Sequence, residues 1–275
     1  MLHLGPEESY VARKSPLADR LHEIRDRIAN AAIRAKRDPS EVTLVAVTKT
    51  AAPEQIREVL QLGVADLGES RVQVLTQRVV QVNEFHQRQL ARGGPESADV
   101  PGKLRWHMIG HLQRNKIKQV LPLVTVIHSV DSLRLAEDLE AACAKAERRL
   151  PVLMQINASE EPQKFGVAVG AAVHLAEQID TMPHLQLIGL MSMGPLTDDQ
   201  EKIRRCFART REIFEEMKWH KIGGTAFRHL SMGMSNDFEI AIAEGATMVR
   251  IGTALFGGQT HDHDEQEADQ QERAE

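Results

Sequence analysis

VTLVAVTK (42–49), PEQIREVLQL (53–62) and VADLGES (64–70) follow one another as an apolar run rich in β-branched residues, an amphipathic stretch opened by proline, and a second short apolar run. Strand, helix and strand in that order imply a right-handed crossover and a parallel sheet. The rhythm continues through LRWHMIG (104–110), VTVIHSV (124–130), PVLMQIN (151–157), LQLIGLMSM (185–193), HLSMGMS (229–235) and MVRIGTALFG (248–257), with helical patterns between them. Eight such units within residues 42–257 predict an α/β fold, a single (β/α)8 barrel of the TIM type. An open doubly wound sheet is the alternative.

Outward from this repeat, SPLADRLHEIRDRIANAAIRAKR (15–37) predicts an additional N-terminal helix, with Ser15 as N-cap and Leu17, Leu21, Ile24, Ile28, Ala32 and Ile33 at helical spacing. The expected organisation is a polar leader at 1–14, a barrel at 15–257 and a disordered acidic tail at 258–275. Within the barrel, QRQLARGGPESADVPGK (87–103) is expected to be a mobile insertion.

The formal charge is −5, but the last fourteen residues carry seven acids against one arginine, so the rest stands near +1. A near-neutral body without a basic block argues against nucleic acid. No apolar run approaches the length of a membrane span, and no signal-peptide core opens the chain. Cys143 and Cys206 sit in helical stretches without metal or disulfide spacing and read as reduced thiols, so a cytoplasmic protein is expected. His107 and His111 are four apart but straddle a strand end and a loop, where that spacing does not converge on a metal. HDHDE (261–265) reads as solvated tail, and no metal site is expected.

In such a barrel the strand C-termini face the functional mouth. Lys49 ends the first strand on the face of Val45 and Val47, so its amine is expected to point into the mouth, where desolvation favours the neutral, nucleophilic form. Taken alone, a solvated lysine or a pair with Glu69 explains it as well. The seventh predicted strand runs into Ser231-Met232-Gly233-Met234-Ser235-Asn236-Asp237 ahead of a short helix, a pattern suited to an anion: glycine for close approach, hydroxyls, and Ser235 or Asn236 as helix cap. Gly252 and Thr253 add matching chemistry from the last strand. Arg250, mid-strand, requires a partner, either a neighbouring carboxylate or a ligand acceptor such as a pyridine nitrogen. His107 is expected to line the mouth, and Met191, Met193 or Met232 either fill core or line a pocket. The polar loop 111–116 either meets ligand or begins a helix.

With these residues in hand, the chain resembles the pyridoxal phosphate homeostasis protein family. The likeness covers about residues 17–257, through LVAVTKT (44–50), LGESRVQ (67–73), RWHMIGHLQRNK (105–116), QINASEEPQKFGV (155–167), GLMSM (189–193) and the stretch from Leu230 to Gly257. It implies a barrel similar to the N-terminal domain of alanine racemase, with pyridoxal 5'-phosphate (PLP) as cofactor. Carried over residue by residue, Lys49 forms the Schiff base, Ser231, Gly233, Gly252 and Thr253 bind phosphate, and Arg250 faces the pyridine nitrogen. Met232, Ser235 and Asp237 lie in the same matched loop. The family's usual Gly-Glu-Asn reads Gly68-Glu69-Ser70 here, which removes an amide thought to face the cofactor.

The resemblance implies storage of PLP and its delivery to PLP-dependent apo-enzymes, rather than turnover. The alternative is a PLP-dependent racemase or decarboxylase acting on amino acids; a two-base racemase needs a tyrosine opposite the lysine, and the only tyrosine, Tyr10, lies in the leader. A scaffold barrel with a solvated Lys49 is the third possibility. A monomer is the default expectation.

Overall fold

The computed structural model describes residues 15–93 and 99–257. The first half of the chain forms α1 (Pro16–Arg34), β1 (Thr43–Val47), α2 (Pro53–Gln61), β2 (Asp66–Glu69), α3 (Val72–Arg92), β3 (Arg105–Met108), α4 (Ile117–Val120), β4 (Val126–Val130) and α5 (Leu133–Lys145). The second forms β5 (Leu150–Asn157), β6 (Val167–Ala168), α6 (Ala172–Asp180), β7 (Leu185–Met191), α7 (Gln200–Trp219), β8 (His229–Ser231), α8 (Phe238–Ala243), β9 (Met248–Ile251) and α9 (Thr253–Phe256).

All pairings are parallel, and β9 returns to pair with β1 while β4 pairs with β5. The sheet therefore closes on itself through eight strands, which rules out the open sheet. The ninth, β6, is a two-residue ribbon hydrogen-bonded to the end of β5. It went unread in the sequence because two residues carry no periodicity.

Register fixes which residues face inward. Val45 lies opposite Arg250, Val47 opposite Gly68, Gly68 opposite His107, and Met191 opposite Ser231. Their chain neighbours Leu44, Ala46, Leu67, Trp106, Leu230, Val249 and Ile251 point the other way, into the large apolar layer shared with the helices. The inner apolar cluster is small by comparison, with Val126, Leu153, Ile188 and Met191 at its centre. The core that holds the fold together thus lies between strands and helices, and much of the barrel lumen is polar.

The N-terminal helix forms as read: the Ser15 hydroxyl accepts from the Ala18 amide, and Leu17, Leu21, Ile24, Ile28, Ala31 and Ala32 are buried. Ile33 departs from that reading and is exposed, because it falls off the buried stripe. Arg20 Nε donates to the Leu255 carbonyl at 2.7 Å, tying α1 to the last turn of the chain.

Of the segment expected as a mobile insertion at 87–103, residues 94–98 lie outside the described residues. Residues 87–92 continue α3, and Gly93 ends the helix with positive φ. Beyond it Val100 is buried and the Pro101 carbonyl meets His86 Nε2 at 2.5 Å, so both flanks are packed onto the barrel. The expected leader and acidic tail lie outside the described residues.

Candidate functional site

Four elements deliver the candidate residues to one end of the barrel. β1 and β9 are adjacent, so Lys49, just past β1, and Gly252–Thr253, just past β9, share the C-terminal rim. The strand is shorter than expected and Lys49 sits in the turn after it, half-buried, with its carbonyl accepting from Arg78 Nη2 at 3.2 Å. Lys49 lines a cleft of about 320 Å³ between α2 and α3 together with Ile56, Arg57, Val74, Arg78 and Val82. The buried Glu69 carboxylate accepts from the Thr48 hydroxyl at 3.0 Å and the Ser70 amide at 2.9 Å, with Arg78 Nε at 3.6 Å.

The Ser235 hydroxyl reaches α9 rather than α8. Ser235 accepts from the Thr253 hydroxyl at 2.9 Å and from the Ala254 amide at 3.3 Å, which joins the loop after β8 to the first turn of α9. The cap of α8 is Asp237 instead of Ser235 or Asn236. Gly252 is held close to β1, where an added Cβ would lie 3.3 Å from both Cβ and the carbonyl oxygen of Val47. Gly233 has φ +92°, and a Cβ there would meet Ala241 Cβ at 2.6 Å, so only glycine lets this loop pass over α8. Its carbonyl accepts from the Arg250 amide at 3.0 Å.

Two expected phosphate-loop residues are placed elsewhere. Met232 turns its side chain into the outer apolar layer, as alternation from inward-facing Ser231 requires. Ser231 is buried one layer below the rim, accepting from Arg250 Nη1 at 2.7 Å and meeting His128 Nδ1 at 2.9 Å. Its hydroxyl is thereby committed to protein groups.

Arg250 is buried, and its second donation goes from Nη2 to the Ser192 carbonyl at 3.0 Å. Among the described residues it forms no ion pair, so the carboxylate partner weighed from the sequence is replaced by neutral acceptors. Burial lowers its pKa to about 10, with the field of Asp237 opposing. Asp237 is itself pushed up by burial, against the hydrogen bond from the Met234 amide.

His107 does not line the mouth. It is buried in the lumen, its Nε2 3.0 Å from Asp66 and its Nδ1 2.8 Å from His128 Nε2. Asp66 is also gripped by Arg105 through Nε at 2.6 Å and Nη2 at 2.5 Å. Burial raises its pKa, but these hydrogen bonds from His107 and Arg105 outweigh it and hold the carboxyl below the usual range. Asp66, His128 and Ser192 were not singled out in the sequence. Period-two alternation within VADLGES and VTVIHSV, which puts Asp66 and His128 on the faces of Gly68 and Val126, was the available signal.

The polar loop from His111 begins a helix: Arg114–Lys116 form a 3-10 turn leading into α4. His111 stacks on Phe165, ring centroids 4.1 Å apart. Ser70, the departure from the family pattern, packs against Gly110, where a Cβ would come within 2.3 Å of the Ser70 carbonyl oxygen.

The geometry has counterparts. The family model described as alanine racemase, N-terminal domain, matches residues 14–260. A pyridoxal phosphate homeostasis protein of Aquifex aeolicus is 36% identical over 239 residues, covering 87% of this chain and 96% of that one. A protein from Bifidobacterium adolescentis superposes with TM-score 0.79 at 38% identity, over 87% of this chain and 94% of the other. PipY of Synechococcus elongatus, solved with PLP bound, superposes with TM-score 0.68 at 31% identity over 88% of this chain and all of that one. On this extent of match and the shared barrel, the chain belongs to the pyridoxal phosphate homeostasis protein family, within the wider group built on the alanine racemase N-terminal domain.

Proposed function

We propose that this protein binds PLP at the barrel rim, tethered as a Schiff base to Lys49, and serves intracellular PLP homeostasis by storing the cofactor and delivering it to apo-enzymes. What supports the reading is that Lys49 follows β1 and Gly252–Thr253 follow the adjacent β9 at the same end of the barrel, with Arg250 lower on β9 and the Ser235 hydroxyl bonded to Thr253 and Ala254. The donor set fits the group. Two hydroxyls and backbone amides at a short helix start suit a phosphate, Gly252 gives it room against Val47, a lysine amine suits an aldehyde, and a buried guanidinium suits a ring acceptor.

When bound, PLP supplies an electron sink whose strength depends on its ring nitrogen. Arg250 keeps its proton even with its pKa near 10, so it donates to that nitrogen without protonating it, which weakens the sink. Ser235, Thr253 and the Ala254 amide orient the phosphate end, while Lys49 holds the reactive carbonyl away from other amines. Asp237, under the loop, fixes its turn by accepting from the Met234 amide.

Turnover is not expected, because His107, the alternative acid–base group, is buried and bonded to Asp66 and His128. The cytoplasm, where apo-enzymes are made, is the site of action we assign. Borohydride reduction of protein incubated with PLP, followed by peptide mapping, is expected to place the label on Lys49 and lose it in Lys49→Ala. A label on another lysine overturns the tether. Steady-state assays with D- and L-amino acids are expected to show no sustained turnover; racemization or decarboxylation would overturn the carrier reading.

A further inference from the structure

A continuous chain of buried polar groups crosses the barrel lumen from its lower end to Arg250. It begins at Asp66, at the start of β2, where half-exposed Arg105 grips the carboxylate. It then passes through His107 of β3, His128 of β4 and Ser231 of β8, with contacts of 3.0, 2.8 and 2.9 Å, and ends in the 2.7 Å donation from Arg250. None of Asp66, His107, His128 and Ser231 belongs to the rim cradle, and four different strands contribute them.

The chemistry of the end groups fixes its direction. A guanidinium only donates and a carboxylate only accepts, so Arg250 donates to Ser231 Oγ and Asp66 accepts from His107 Nε2–H. The Ser231 proton then has His128 Nδ1 as its acceptor, which requires the Nε2–H tautomer of His128. That Nε2–H donates to His107 Nδ1, which in turn requires the Nε2–H tautomer of His107. Every donor and acceptor is satisfied with both rings neutral. Reversing the middle bond would make His107 an imidazolium and leave the Ser231 proton without its acceptor, a costly arrangement in a closed lumen.

We propose that Asp66, His107, His128 and Ser231 act as a one-way hydrogen-bonded brace that orients the Arg250 guanidinium and holds its donors aimed at the ring nitrogen of the bound ligand. The inference rests on the PLP reading above. Because arginine does not release its proton, the brace positions and does not conduct; its residues act through Arg250 and touch no ligand. Ser192 closes the other side of the guanidinium, its carbonyl accepting from Nη2 and its hydroxyl accepting from Thr210 at 3.0 Å.

The charged and titratable groups packed around the brace are Arg105 on β3, His229 on β8 and Asp237 before α8. Burial above all holds His128 well below 6.5, with the Arg250 charge adding to it, in keeping with a neutral ring.

Two measurements test this. In ligand-free protein at pH 7, long-range proton–nitrogen correlation spectra are expected to show the Nε2–H tautomer on both His107 and His128. An imidazolium, or an Nδ1–H tautomer, on either ring at pH 7 overturns the brace. In the PLP-loaded protein, Ser231→Ala and His128→Phe are expected to weaken PLP binding at least tenfold and to move the pH midpoint of the visible absorption band by about one unit, with Ser231→Thr restoring both. Affinity within twofold of wild type and an unmoved midpoint in both variants overturn the brace while the PLP reading stands. A wild-type protein that takes no label on Lys49 overturns the PLP reading and with it the brace's role toward the ligand, and the spectra then decide the donor direction alone.

Discussion

Lowering the pH from 7 to 5.5 is expected to cost this fold about 2 kcal/mol, and the origin of that loss is two histidines. Burial first, with the Arg250 charge, keeps His128 well below its ordinary 6.5, and burial and Arg228 bring His229 down to about 4. In the unfolded chain both rings take up a proton as the pH falls through roughly 6.5, whereas in the folded barrel both stay neutral across this window. A histidine with a depressed folded pKa therefore stabilises the fold above 6.5, and that contribution drains as the pH drops toward the folded value. Integrated from pH 7 to 5.5, one such group costs about 1.2 kcal/mol. Two would give roughly 2.5 kcal/mol, and partial solvent access at His229 trims the sum to about 2 kcal/mol. Urea denaturation followed by circular dichroism at both pH values measures it directly. His229→Gln is expected to retain only the His128 share, about 1.2 kcal/mol. A loss below about 0.5 kcal/mol in the wild type, or an undiminished loss in a His128→Gln/His229→Gln double variant, refutes the neutral-imidazole interior.

Three further outcomes follow from the packing. Gly189→Ala places a Cβ 1.8 Å from the His229 carbonyl oxygen at φ +154°, so it is expected to cost upwards of about 3 kcal/mol or to abolish folding; an unchanged melting temperature contradicts that. Leu21→Ala, on the fully buried stripe of α1, is expected to cost about 3 kcal/mol by cavity formation, read from the urea midpoint, and a cost under 1 kcal/mol would mean that α1 is not docked as described. Burial pushes the Cys206 thiol up to about 11 and raises that of Cys143, so a disulfide reagent at pH 8 should modify both slowly in native protein and rapidly in guanidinium; equal rates in the two states count against buried thiols.

Much of the fold was legible because the outer layer obeys simple periodicities. Leu44 and Ala46, Leu67, Trp106 and Met108, Leu230, and Val249 and Ile251 are the apolar members of their strands and all belong to the strand–helix core, so the eight strand positions and the βα rhythm could be read from them. Strand ends were read too long wherever a residue continues in extended or turn backbone after the ladder stops, as at Lys49 and at residues 232–235. The helical start at Thr253 was missed because Gly252-Thr253 continues an apolar run with no local sign of the switch. The reach of α3 to Arg92 was hidden for a different reason. Its polar last turn looks like loop until the Pro101 carbonyl and His86 are seen to meet.

The site divides along the same physical line. Residues at the rim are tied by short-range contacts, and glycine, serine and threonine at a strand end announce such turns in sequence: Gly252 packs on Val47, Gly233 passes over α8, and Ser235 meets Thr253. The lumen is another matter, because its hydrogen bonds join residues as far apart as His128 and Ser231, and nothing local distinguishes a histidine paired across the barrel from one exposed at its mouth. Hence Ser231 was read as a phosphate ligand and His107 as a mouth residue. Both assignments asked what a polar side chain could do for a ligand before asking what Arg250 needed. A buried guanidinium without a carboxylate must be matched by acceptors that in turn need acceptors, and in a closed parallel barrel such a sequence can end only where a charge reaches the edge. Asp66, held by Arg105, is that edge. The demand of one buried charge at β9 thus accounts for the polar residues on four other strands, which makes the lumen part of the site's construction rather than a fault in its core.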